Sequence, residues 1–144
     1  MRFQLRQPMI LMSRVEGPLG VVRELTSLLD PGFAYSVILS RDAIDIGYPN
    51  ASIRPIELEK IRPDIAPQVL GLRGIERSVL VTLAKVSVGG LVAKNVDALV
   101  LELDLIRLLP FDLILGHTFL KNFIVTYDYG KRTLQMEPLT KRNQ

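Results

Sequence analysis

Short runs of Leu, Ile and Val, each broken after a few residues by glycine or proline, limit most strongly how this chain can fold. Nine prolines and ten glycines are spread along the 144 residues, and turn residues between β-rich runs are typical of many short strands. We therefore predict a mainly β protein of one domain (1–144), with its core at about residues 3–137 and a basic tail at 138–144. The runs predict strands at 3–12, 21–29, 35–39, 53–58, 78–88, 92–101, 113–115, 123–128 and 133–137, and short helices at 41–46 and 118–122.

The turns between these elements carry their own predictions. Ser40 is expected to cap the first helix, and Gly47 to end it. Residues 68–71 and 78–88 would form the arms of a hairpin whose glycines allow its tip to adopt positive φ and to move. The last two strands would form a terminal hairpin across residues 129–131.

The composition removes several kinds of chemistry. The chain has no cysteine, which excludes disulfides and thiolate chemistry. Its one histidine, His117, cannot by itself build a His-rich metal site or a Ser-His-Asp triad. We therefore expect no metal or other cofactor, and we expect carboxylates to carry any hydrolytic reaction.

Charge and hydropathy bear on partners and location. The net charge is +3, but the basic residues form no stripe interleaved with aromatic side chains, so no nucleic-acid partner is predicted. The longest apolar stretch, 96–116, is interrupted by charged residues and does not predict a membrane span. The polar start of the chain does not resemble a signal peptide, so a cytoplasmic protein is expected.

Asp30 is the acid best placed to carry a hydrolytic reaction, because it follows the apolar run Leu28-Leu29 and precedes Pro31-Gly32. At the end of a buried strand its carboxylate would be largely desolvated, and the Gly32 N–H could approach it closely. Two such acids that face each other share one proton, so one can act as a general base while the other polarises a carbonyl. The chain offers one such turn, and the second acid would come from an identical subunit across a two-fold axis.

Two segments carry a resemblance to a known family. LLDPGFAYSVI, residues 28–38, resembles the catalytic loop of retropepsin-like aspartic peptidases, which typically read apolar-apolar-Asp-Thr/Ser-Gly-Ala before a strand. FDLILGHTFLKNFIVTYDYGKRTLQM, residues 111–136, is similar to the second half of that family, where an apolar-apolar-Gly strand precedes a short helix and a terminal hairpin. The segments stand in the family's order, and the resemblance covers about residues 20–137.

The resemblance implies a closed β-barrel with one or two short helices that functions as a homodimer. It also implies an aspartic endopeptidase that cleaves peptides or unfolded proteins, with Asp30 as its catalytic residue. The active-site loop would consist of Pro31, Gly32, Phe33 and Ala34, and the flap of Gly71, Leu72, Arg73 and Gly74.

Three residues of the loop depart from the family pattern. Pro31 stands where the family has Thr or Ser, whose hydroxyl makes hydrogen bonds between the two subunits. Proline supplies neither a hydroxyl nor a backbone N–H, although its fixed φ stiffens the turn. Phe33 replaces the usual alanine, and Ala34 replaces a polar residue that often contacts substrate.

These departures leave alternatives open. One is a dimer of the same fold that is impaired in catalysis and binds peptides or supports assembly. A weaker one is a basic module associated with nucleic acid. The remaining acids and the histidine are not assigned to catalysis. Asp45 is interpreted as a solvated surface acid at a helix end, Asp112 as a structural hydrogen-bonding residue and Asp128 as a hairpin-turn residue. His117, near a helix start, is interpreted as a packing or capping residue.

Overall fold

The computed structural model describes residues 1–5, 9–48, 79–101 and 111–139. Within these ranges the chain forms nine strands and two short helices, so the mainly β prediction is confirmed. The strands are β1 (Arg2–Gln4), β2 (Ile10–Glu16), β3 (Val22–Leu29), β4 (Ser36–Leu39), β5 (Val79–Val88), β6 (Leu91–Leu101), β7 (Leu113–Leu115), β8 (Phe123–Asp128) and β9 (Thr133–Pro138). The helices are α1 (Ser40–Asp45) and α2 (His117–Leu120).

Six strands close into a barrel in the order β2-β3-β7-β4-β6-β5. The predicted closed barrel is therefore confirmed. β7 lies between β3 and β4, parallel to β3 and antiparallel to β4. All three residues of β7 are buried and apolar, as the sequence predicted for this run. β7 thus joins β3 to β4 in the barrel.

A second sheet, in the order β1-β9-β8, lies outside the barrel ladder. The prediction of one continuous first strand at 3–12 is wrong, because two strands of different sheets lie there. β1 pairs with β9, whereas β2 pairs with β3 and β5. Met9 has a φ of 63° and its carbonyl accepts the Leu29 N–H at 2.8 Å. This left-handed residue lies just before β2, where the chain enters the barrel.

Helix α1 begins one residue earlier than predicted. Ser40 is its first helical residue, the N-cap is Leu39, and no side chain makes a capping hydrogen bond. The prediction that Ser40 caps the helix is therefore wrong, because the helix continues directly from the buried strand β4. The predicted end is confirmed: the Gly47 N–H bonds to the Ile44 carbonyl, and Gly47 has a φ of 106°.

The core fills the barrel and extends to the β1-β9-β8 sheet through Phe119, Phe123, Leu134 and Met136. The predicted strand 53–58, the hairpin arm 68–71 and the flap tip 71–74 lie outside the described residues. None of the helices in the described part of the chain has the length and apolar character needed to cross a bilayer.

Candidate active site

Asp30 directly follows the last residue of β3, where that strand runs beside β7. The register places Leu29 opposite Leu115, and the Asp30 N–H continues the ladder by donating to the Leu115 carbonyl at 3.0 Å. β3 is interior at Leu25, Ser27 and Leu29. The alternating β3 residues therefore anchor Asp30 to the barrel.

Residues 30–33 form a tight turn. The Phe33 N–H donates to the Asp30 carbonyl at 3.1 Å, and the Gly32 N–H donates to Asp30 Oδ1 at 3.0 Å. Pro31 occupies the second position of the turn, where its fixed φ is favourable. The Gly32 N–H thus orients the Asp30 carboxylate, and the sequence predicted this close approach.

The exposure of this turn differs from one expectation. Asp30 is partly exposed, while Pro31 and Gly32 are exposed. A largely desolvated carboxylate was expected, and in the single chain that expectation is wrong. Asp30 follows the last residue of β3 and is followed by two exposed residues, so the turn lies at the surface of the single chain.

The two residues after Gly32 face different environments. The Phe33 side chain is only 1% exposed, so it packs in the interior, whereas Ala34 is partly exposed. The Phe33 carbonyl accepts the His117 N–H at 2.7 Å. Phe33 therefore ties the turn to the start of α2.

Gly116 passes so close beneath residues 33–35 that no side chain fits. A Cβ atom at Gly116 would lie 2.2 Å from the Tyr35 carbonyl oxygen and 2.6 Å from that of Phe33. Both distances are far inside van der Waals contact. The glycine of the LILGH segment is therefore required by the close approach of two backbones.

A chain of buried hydrogen bonds joins this glycine to the barrel. The Thr118 hydroxyl donates to the Asp97 carbonyl at 2.7 Å, which uses its single hydrogen. In the 3.0 Å contact between the Ser36 and Thr118 hydroxyls, Ser36 is therefore the donor. Ser36 Oγ in turn accepts the Gly116 N–H at 3.2 Å, and Thr118 Oγ1 also accepts the Ser36 N–H at 3.0 Å. β4, β6 and the start of α2 are thus linked behind the Asp30 turn.

A cluster of charged residues connects α1 to β3 and to the residue before β7. Arg23 lies between two acids, with Nε 3.1 Å from Asp42 Oδ1 and Nη1 2.9 Å from Asp45 Oδ2. Arg41 lies 3.8 Å from Asp42 Oδ2 and 3.3 Å from Asp112 Oδ1. Asp112 therefore has the structural hydrogen-bonding role predicted for it. Asp45 is exposed at the surface, as predicted, but it is also ion-paired with Arg23.

Asp42 is the buried member of this cluster, with a side chain only 1% exposed. Its Oδ2 has no hydrogen-bond partner among the described residues. Burial raises the pKa of the Asp42 carboxyl above its ordinary value of 3.8, although the charges of Arg41 and Arg23 oppose that rise. The two arginines therefore offset only part of the effect of burial on the Asp42 carboxyl group.

The remaining candidate side chains in the described ranges are those of Asp128 and His117. Asp128 Oδ1 accepts the Lys131 N–H at 3.0 Å within the terminal hairpin, and the His117 side chain is exposed. Among the described residues, no three His, Cys, Asp or Glu side chains are grouped so that they could hold a metal ion. The predicted flap residues Gly71, Leu72, Arg73 and Gly74 lie outside the described ranges.

An apolar groove with a volume of about 390 Å³ adjoins the turn at Pro31. We call it the Pro31 groove. Sequence reasoning missed it, because its residues come from three separate parts of the chain. It is lined by Met9, Pro31, Leu120, Phe123, Val125, Tyr127 and Tyr129.

Comparison with solved structures defines the fold. The chain is similar to a retropepsin-like aspartic protease from Rickettsia conorii, with a TM-score of 0.59 and 17% identity over 93% of this chain and 88% of that chain. It is also similar to the retroviral protease-like domain of Ddi1 from Leishmania major, with a TM-score of 0.51 and 15% identity over 97% of this chain and all of that chain. No protein-family model and no curated protein matches the sequence. The protein therefore has a retropepsin-like fold, as the two sequence segments predicted.

Proposed function

We propose that the protein is an aspartic endopeptidase that acts as a homodimer, with Asp30 of each subunit meeting its counterpart at a two-fold axis. The observation that carries this proposal is the Asp30 turn. Its carboxylate is partly exposed, while its backbone is bonded to Leu115 and Phe33 and Oδ1 accepts the Gly32 N–H. An acid that is both accessible and oriented in advance suits catalysis, because little reorganisation is needed when substrate binds.

The second subunit is required by the chemistry. Among the described residues, the acids Asp42, Asp45 and Asp112 are held in the arginine cluster. Asp30 of a second subunit is the acid that symmetry can bring against the first. Two carboxyl groups so placed would hold one proton between them.

The proposed reaction uses that shared proton. The ionised Asp30 accepts a proton from water as the water oxygen bonds to the carbonyl carbon of the scissile peptide. The protonated Asp30 of the partner subunit donates to the carbonyl oxygen, which forms a tetrahedral diol. As the C–N bond breaks, a carboxyl group protonates the departing nitrogen and the diol returns one proton. The pair again holds one proton.

The test is cleavage of an unfolded protein and of a peptide library by the full chain, from acid to neutral pH, with products identified by mass spectrometry. The wild type should generate new termini, and Asp30→Asn should reduce cleavage to background. Asp45→Asn is the matched control, because Asp45 also precedes x-Gly but ends α1 and pairs with Arg23. Absence of cleavage by the wild type, or equal cleavage by Asp30→Asn, would overturn the proposal.

The same preparations separate the peptidase from a dimer impaired in catalysis. The motive for that alternative is the departure of Pro31, Phe33 and Ala34 from the family pattern. Pro31 in particular is exposed in the turn and lacks the hydroxyl that the family uses between subunits. Such a dimer would bind library peptides without cleaving them, and Asp30→Asn would bind them equally well.

A further inference from the structure

Helix α1 is joined to the barrel by a cluster in which acids outnumber arginines. Arg23 comes from β3, and Asp112 lies directly before β7. Arg41, Asp42 and Asp45 belong to α1. When every member is ionised, the cluster therefore holds two positive and three negative side chains. Its charges balance only when one of the three acids carries a proton.

Asp42 is the acid for which a proton matters most. Its side chain is 1% exposed, whereas those of Asp45 and Asp112 are 48% and 36% exposed. Asp42 Oδ1 lies 3.1 Å from Arg23 Nε. Asp42 Oδ2 accepts no hydrogen bond among the described residues, and Arg41 Nε is 3.8 Å from it. A buried carboxylate with one unpartnered oxygen is stabilised when it is neutralised.

We propose that α1 is a pH switch, which packs firmly against β3 while Asp42 is protonated and loosens when Asp42 ionises. Ionisation adds a buried negative charge that the arginines do not balance, because Arg23 also pairs with Asp45 and Arg41 with Asp112. An outward shift of α1 returns the carboxylate to water, so ionisation favours the looser position. This inference goes beyond the proposed function and does not depend on it.

The packing of α1 makes it responsive to this charge. The helix has six residues, and no side chain makes a capping hydrogen bond at its N-terminus. A helix of this length is not stable in water by itself, so its packing decides whether it stays folded. The buried residues of α1 are Asp42 and Ala43. One of the two side chains that α1 buries is therefore the one that titrates.

Other charged groups on the neighbouring elements do not take the place of the arginines. β4 has no charged side chain. β6 contributes Lys94 and Asp97 in its described part, and Asp97 Oδ1 accepts a hydrogen bond from the Thr82 hydroxyl at 2.8 Å. Burial raises the pKa of Asp42 by more than the arginines lower it. The charges that act on Asp42 are those of Arg41, Arg23, Asp112 and Asp45.

Amide protons at the end of α1 report on the switch. The N–H groups of Ile46, Gly47 and Tyr48 each donate to a carbonyl of α1, at 3.1, 3.0 and 2.9 Å. Their exchange with solvent requires α1 to open. The Leu29 N–H donates to the Met9 carbonyl at 2.8 Å at the end of β3, and it serves as the internal reference.

The experiment is native-state amide exchange of the full chain, followed by NMR from about pH 4 to about pH 7.5 and corrected for intrinsic exchange rates. Protection of the three α1 amides relative to Leu29 should fall about tenfold as Asp42 ionises. In Asp42→Asn, whose side chain stays neutral, this fall should be absent. Asp45→Asn is the matched control: it removes an exposed acid of the same helix, and the fall should persist.

Two further variants decide the result if Asp42→Asn does not fold. Arg23→Gln removes a charge that favours ionised Asp42, so the fall should move to higher pH. Asp112→Asn removes a charge that opposes ionisation, so the fall should move to lower pH.

Three outcomes would overturn the inference: wild-type protection that does not change with pH, an equal fall in Asp42→Asn, or shifts opposite to those expected for Arg23→Gln and Asp112→Asn. Amide exchange requires no substrate. A protein that shows the switch but cleaves nothing would therefore support this inference while the proposed peptidase function fails.

Discussion

The amide nitrogen of Asp30 lies 3.0 Å from the carbonyl oxygen of Leu115. This bond joins the end of β3 to the end of β7, two segments that are far apart in the sequence. It extends a parallel ladder in which Ser27, Leu28 and Leu29 face Leu113, Ile114 and Leu115. The position of the candidate catalytic acid therefore depends on the packing of residues near the end of the chain.

Gly116→Ala should unfold or strongly destabilise the protein. The new Cβ would lie 2.2 Å from the Tyr35 carbonyl oxygen, so two backbones would have to separate, and we expect a loss of at least about 3 kcal/mol. Urea unfolding measures the change. Gly130→Ala is the control: its Cβ would meet only Asp128 Oδ1 at 3.5 Å, and a change within about 0.5 kcal/mol is expected. Equal stability of the two variants would contradict the close approach at Gly116.

Thr118→Val should cost about 1–3 kcal/mol of unfolding free energy, because it leaves the Ser36 N–H buried without its acceptor. Ser36→Ala should also destabilise, since the Gly116 N–H loses Ser36 Oγ. A double-mutant cycle by denaturant unfolding should show coupling of about 0.5 kcal/mol or more. Strict additivity of the two losses would show that the hydroxyls act independently.

Phe33→Ala should destabilise the fold by about 3–5 kcal/mol, because the Phe33 ring is buried and its loss leaves a cavity. Leu19→Ala is the control, since Leu19 is 82% exposed, and its effect should stay within about 0.5 kcal/mol. Thermal and urea unfolding measure both. A fully stable Phe33→Ala variant would show that this side chain does not support the core beneath the turn.

Asp42→Asn should change how stability depends on pH. The pKa of Asp42 is raised above 3.8, chiefly by burial and against the opposing charges of Arg41 and Arg23, with Asp112 and Asp45 adding to the rise. An acid with a raised pKa in the folded state stabilises the fold fully below its unfolded pKa, and this contribution is lost as pH rises through the folded pKa. The unfolding free energy of Asp42→Asn relative to the wild type should therefore increase with pH across that window.

The measurement for Asp42→Asn is urea unfolding of both proteins at a series of pH values. Asp128→Asn provides the comparison, because it removes an exposed carboxylate of the terminal hairpin. A relative stability of Asp42→Asn that falls as pH rises would mean that pairing with the arginines outweighs burial.

Much of the fold could be predicted, because turns and strands leave local signals. The runs at 21–29, 35–39, 92–101 and 113–115 agree with β3, β4, β6 and β7 to within a residue. The first strand was wrong because a run of apolar residues does not show that the chain leaves one sheet for another at Met9. The Ser40 cap was wrong because the backbone already enters the helix from β4.

The sequence by itself determined the β class, the boundaries of β3 to β9 to within a residue and the Asp30-Pro31-Gly32 turn, since these follow from side-chain preferences over a few neighbouring residues. Only the tertiary structure decided that Asp30 is anchored to Leu115, that Phe33 packs inside and that Gly116 passes beneath the turn. It also decided the Arg23–Asp42–Arg41 cluster and the Pro31 groove. Each of these joins segments that are distant in sequence, and their contacts are set by barrel closure and register, which local preferences do not specify.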